Sequence, residues 1–97
     1  MNAKRLVLVV GLMALAACVP LAPPGALLVA VGPPARRVEV VPVAPGPGYV
    51  WIAGYWGWHG YSYYWVPGRW ERRPHPKAVW VSGRWRHARS GWYWEPG

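Results

Sequence analysis

The chain has 97 residues, a formal charge of +8 and one cysteine, which leaves room for a single small domain with no internal disulfide. It contains no Asp, and its three glutamates, Glu39, Glu71 and Glu95, are scattered along the sequence, which gives acid–base catalysis little to work with. All nine Trp and all six Tyr lie at or after Tyr49, so an aliphatic half precedes an aromatic one.

The chain opens with Lys4-Arg5 and an apolar run from Leu6 to Ala17. A basic start followed by such a run is the pattern of a signal peptide, residues 1–17. The run is too short for a bilayer, which takes about 20 apolar residues. It ends in Leu15-Ala16-Ala17-Cys18, which resembles the lipobox of bacterial lipoproteins. The resemblance implies lipid transfer to the Cys18 thiol, cleavage before Cys18 and acylation of the new N-terminus. Several acyl chains would then hold the protein on a membrane, where one would not. Val19 stands where an Asp commonly marks inner-membrane retention, so the resemblance points to the outer membrane.

Residues 18–48 hold eight of the twelve prolines. Such a stretch favours extended chain over a packed core and is expected to act as a tether. At ~3.1 Å per residue, thirty residues reach on the order of 90 Å. Two apolar islands interrupt it. Ala26–Val31 is expected at the lipid surface, and Val38-Glu39-Val40-Val41 as a short added strand.

From Tyr49 onward one unit repeats. Trp51, Gly54 and Trp56 form the first copy, Trp65, Gly68 and Trp70 the second, and Trp80, Gly83 and Trp85 the third; Trp94 and Gly97 begin a fourth that lacks its second Trp. The pattern Trp-x-x-Gly-x-Trp resembles the YXWGXW / WXXGXW repeat family of small bacterial lipoproteins. That resemblance covers residues 49–97, with the lipobox added at the N-terminus. It implies envelope localisation and a repeat architecture, and it brings no catalytic residues.

The units are rich in Trp, Tyr and Val and are separated by turn formers, and no helical period runs through them. The fold class expected is mainly β: a short antiparallel meander behind a signal peptide and tether. A unit can fold in two ways. Pro67-Gly68 can form a hairpin turn that pairs Trp65 with Trp70, but L-Pro-Gly suits type II geometry better than the primed turns of tight hairpins. The preferred alternative is one strand per unit with a bulge at Gly, and turns at His59-Gly60, Arg72–Lys77 and Ala88–Gly91. An unbroken strand would put Trp residues five apart on opposite faces. One bulged residue brings them together, and Gly tolerates the angles a bulge needs.

Trp beside Arg can stack sugars and hold their phosphates or carboxylates, bind single-stranded nucleic acid, or form a protein hot spot. Against these stands the plainer role of Trp as the domain's own core. Export argues against nucleic acid. Tyr55, Arg69 and Arg84 share one place in their units and are the candidate ligand contacts. His59, His75 and His87 are too dispersed to suggest a metal site, and no cofactor is expected. The function expected is a non-catalytic, lipid-anchored envelope protein whose repeats bind a glycan or an envelope protein. The alternative is an assembly accessory that adds strands to a partner's sheet edge.

Overall fold

In the computed structural model residues 20–97 are described; Cys18 and the expected signal peptide, residues 1–17, lie outside the described residues. Among the described residues there is no helix and there are six short strands: β1 Tyr49–Ile52, β2 Tyr55–Trp58, β3 Tyr63–Val66, β4 Arg69–Arg72, β5 Arg84–Ala88 and β6 Gly91–Glu95. Aromatic and β-branched side chains make the strands, as their preference for a pleated, half-buried surface requires.

The strands form antiparallel pairs: β1 with β4, β2 with β3, and β5 with β6. The first two pairs are one long hairpin. Ile52 faces Arg69 and Tyr55 faces Val66, so the register runs unbroken through the gap between them. Ala53-Gly54 therefore stands opposite Pro67-Gly68. The chain reverses at Gly60-Tyr61, where Gly60 takes a φ of 105° that favours glycine. The second hairpin repeats the first, displaced by 29 residues: the pair Trp56↔Trp65 becomes Trp85↔Trp94. Each repeat unit supplies one arm, and the meander is divided into two hairpins, since β4 and β5 do not pair.

The structure excludes the hairpin turn that the sequence already disfavoured, and it overturns the preferred bulge. Pro67-Gly68 is not a hairpin turn, because Trp65 pairs with Trp56 and Trp70 with Trp51. Nor is Gly68 a bulge. No extra residue enters either arm, and Gly54, Gly68 and Gly83 have no positive φ. Instead two irregular residues on each arm face each other and interrupt the pleat. That restarts the side-chain alternation and leaves Trp65 and Trp70 reaching the same crossing segment.

The core is thin. Only Val29, Ile52 and Ala88 are buried hydrophobics among the described residues, at 3%, 6% and 1% exposure. Every Trp is half-buried except Trp80, which is exposed. Cohesion comes from aromatic pairs across the strands: Trp51 with Trp70 at 5.4 Å, Trp56 with Trp65 at 5.2 Å, Trp85 with Trp94 at 5.6 Å. Such pairs add roughly 0.5–1.5 kcal/mol each beyond their burial. Tyr55 stacks on Trp94 at 4.8 Å and the Trp85 indole N–H donates to the Trp56 carbonyl at 2.8 Å, which joins the hairpins.

The proline-rich segment is extended, as its composition predicts, but residues 20–48 run along the hairpins and do not stand off them as a spacer. Val29 forms a β-bridge with Trp92, with both amide bonds made. Within Ala26–Val31 the central valine is bonded to a hairpin edge and buried, while Leu27, Leu28 and Val31 remain exposed. Arg89 donates its amide N–H to Pro20, and Arg73 donates to Gly48. The Val38–Val41 stretch adds no strand. It binds through its side chains and flanking carbonyls, because the face it crosses offers indole and amide N–H groups.

Candidate functional site

The face of the first hairpin is built by four Trp. Two of them are tied to backbone carbonyls of the segment that crosses it: Trp56 donates its indole N–H to the Ala35 carbonyl at 3.1 Å, and Trp70 donates to Pro42 at 3.0 Å. Between these points the guanidinium of Arg37 lies 4.9 Å from the Trp56 ring and 5.8 Å from Trp65. Glu39 comes next. Its carboxylate accepts from the Gly54 amide at 2.9 Å, from the Gly68 amide at 2.9 Å and from the Trp65 indole at 3.2 Å.

This solves a backbone problem. Where the two arms break, the amides of Gly54 and Gly68 are not used in the strand ladder, and half-buried donors need acceptors. A carboxylate is acceptor-only and can serve all three donors at once. The amide of Gly68, above all, with help from Gly54 and Trp65 and against some desolvation, holds the Glu39 carboxyl below the usual carboxylate range.

The docked segment turns its polarity inside out. Arg37 and Glu39 face the hairpin, while Val38 and Val40 point away at 101% and 93% exposure. The reason is the chemistry of the face. Ring surfaces attract a guanidinium, and clustered N–H groups attract a carboxylate.

The repeat glycines seat the rings of the paired unit. A Cβ built on Gly54 would lie 2.5 Å from Trp65 Cζ2, and one on Gly83 would lie 2.5 Å from Trp94 Cζ2. Trp51 covers Gly68 in the same way, and Trp80 covers Gly97. The motif residues thus act in pairs: the first Trp of each unit occupies the space above the Gly of its partner.

The three candidate ligand contacts part company. Tyr55 and Arg84 meet beside Arg36 and Trp94, around a small depression of about 150 Å³. Arg69 lies apart, on the exposed side of β4, ion-paired to Glu71 at 2.7 Å. Arg84 pairs with Glu95 at 3.4 Å, as does Arg86 at 3.3 Å. A larger hollow of about 300 Å³ is walled by Tyr55, Trp56, Trp58, Tyr64, Trp85 and Trp94. Among the described residues no three His, Cys, Asp or Glu converge as metal ligands.

Sequence reasoning missed Glu39 and assigned it to the tether. Its one signal was being the sole acid among the prolines, set between valines. Its partners are 15 and 29 residues away, beyond any local pattern.

A family model for the WXXGXW repeat matches the chain in two copies, residues 46–71 and 74–86. The first match spans nearly the whole first hairpin; the second spans the approach to β5 and its start. No curated protein and no solved structure matches the chain.

Proposed function

We propose that the Trp hairpins of this chain, which carries two matches to the WXXGXW repeat, are a non-catalytic docking module for extended peptide segments of an envelope partner, held at the outer membrane by a lipid on Cys18. The supporting observation is internal. The first hairpin holds residues 35–42 of its own chain as a peptide ligand, by two indole bonds to carbonyls, one guanidinium on two rings and one carboxylate on three donors. Proline-flanked, extended segments suit such aromatic faces because little conformational entropy is lost on binding. The anchor rests on the lipobox-like residues 15–18.

The test is a blocked peptide with the sequence of residues 33–43, followed by fluorescence anisotropy against the full chain. In the parent, the tethered segment competes at an effective concentration of about millimolar. An Arg37→Ala/Glu39→Gln variant releases it and gains a peptide site that the parent lacks. No gain in binding overturns the reading.

The six-ring hollow favours a second reading, a sugar stacked on aromatic faces. Quenching of Trp fluorescence by purified envelope saccharides, without any peptide binding, selects that reading.

A further inference from the structure

The second hairpin carries a copy of the Glu39 cradle, and no side chain of this protein is left to fill it. A displacement of 29 residues takes Gly54, Gly68 and Trp65 to Gly83, Gly97 and Trp94. The strand register obeys that displacement at all four pairs of β2 and β3. The ring contacts obey it as well, Trp94 over Gly83 and Trp80 over Gly97. Even the tie across the face is repeated: Trp56 donates to the Ala35 carbonyl, and Trp85 donates to the Trp56 carbonyl.

In the first hairpin these three donors share the Glu39 carboxylate. In the second, no described residue accepts from the Gly83 and Gly97 amides or from the Trp94 indole. The protein has three acidic side chains, and each is engaged: Glu39 in the first cradle, Glu71 with Arg69, Glu95 with Arg84 and Arg86. The inner end of the second face is covered by Tyr55 and β2. At the outer end Gly83 is buried, and Trp80 beside it is 40% exposed.

We infer that the amides of Gly83 and Gly97 and the indole N–H of Trp94 form a carboxylate-binding site that takes a glutamate side chain from an extended segment of a partner protein. The inference rests on the docking function proposed above and adds the residue type that is recognised. From Cys18 onward nine basic side chains stand against three acidic ones, and this excess draws such an acidic segment by long-range attraction. The three donors then select carboxylate over amide, because the NH2 of a Gln would meet a donor.

The probe is the blocked pentapeptide with the sequence of residues 38–42, which carries one carboxylate, titrated into the ¹⁵N-labelled full chain in detergent micelles. The expected result is a saturable downfield movement of the Gly83 and Gly97 amide resonances and of the Trp94 indole resonance, while Gly54 and Gly68 stay in place. The Glu→Gln form of the peptide should leave all of them unmoved. Trp94→Phe, which keeps a ring over Gly83 and deletes the N–H, should weaken binding about tenfold, the loss of one hydrogen bond to a charged acceptor. Equal binding of the Gln peptide overturns the inference. Unmoved Gly83 and Gly97 resonances overturn it too. If the Arg37→Ala/Glu39→Gln variant still gains its peptide site in that case, the docking function survives without the second cradle. Shifts at Gly83 and Gly97 that appear on raising protein concentration without peptide overturn the partner protein in favour of a second copy of the chain.

Discussion

Trp65 lies over Gly54, with its ring in the space a Cβ on that glycine would need. The two residues belong to different repeat units, so the spacing Trp-x-x-Gly is a rule for joining units. Gly54 and Gly68 take no positive φ, and their lack of a side chain matters for space and not for backbone freedom.

Gly54→Ala or Gly68→Ala should therefore destabilise the protein by overpacking, by about 1–3 kcal/mol. Gly46→Ala is the control, since a Cβ there meets nothing within 4 Å. Urea unfolding followed by Trp fluorescence measures both. Gly54 and Gly68 variants as stable as the Gly46 variant would mean that the rings move aside at no cost.

Glu39 predicts a pH dependence. Its carboxyl is held below the usual range in the folded protein, so the folded state binds the proton less readily than the unfolded chain. The stabilisation is present above the unfolded value of about 4.3 and is lost as pH falls through the lower folded value. Melting curves from pH 7 to pH 3 should show the parent losing this contribution at the acid end. Glu39→Gln should melt lower at pH 7, because its NH2 group opposes the amide donors, and should lack the Glu39 step. Parallel profiles for the two proteins would remove Glu39 from the stability of the fold.

Trp70 separates ring from donor. The ring is half-buried against Trp51 and the N–H binds Pro42. Trp70→Ala should cost about 2 kcal/mol, less than the 3–5 of a fully buried large aromatic. Trp70→Phe, which loses the indole bond and part of the ring surface, should cost about 1 kcal/mol. Arg69→Ala, beside it, breaks only an exposed ion pair and should stay within about ±0.5 kcal/mol. Circular dichroism melts of the three variants test the order. An unfolded Arg69→Ala would show that the exposed arginines hold the repeats together.

Cys18→Ser should abolish labelling by a fatty-acid probe in cells and leave the precursor uncleaved. A labelled Ser variant would end the lipid-anchor proposal.

Much of the fold was legible in the chain from Tyr49 onward. Trp, Tyr and Val in short runs between Gly and Pro specify strands and turns, because those preferences act within a few residues. One arm per repeat unit, with turns at His59-Gly60 and within Ala88–Gly91, follows from that spacing; the chain reverses one residue later at the first, at 60–61, and at 89–90 in the second. Tertiary structure alone decided which units pair, first with second and third with fourth, since a continuous meander satisfies the same local preferences. It also decided what the glycines are for. A bulge is a local event and was the natural expectation, whereas the seat for a ring from another unit exists only once two arms are side by side. Glu39 is the extreme case. Nothing near it in sequence marks a ligand, and its value lies in three donors that the broken pleat of a distant hairpin leaves without acceptors.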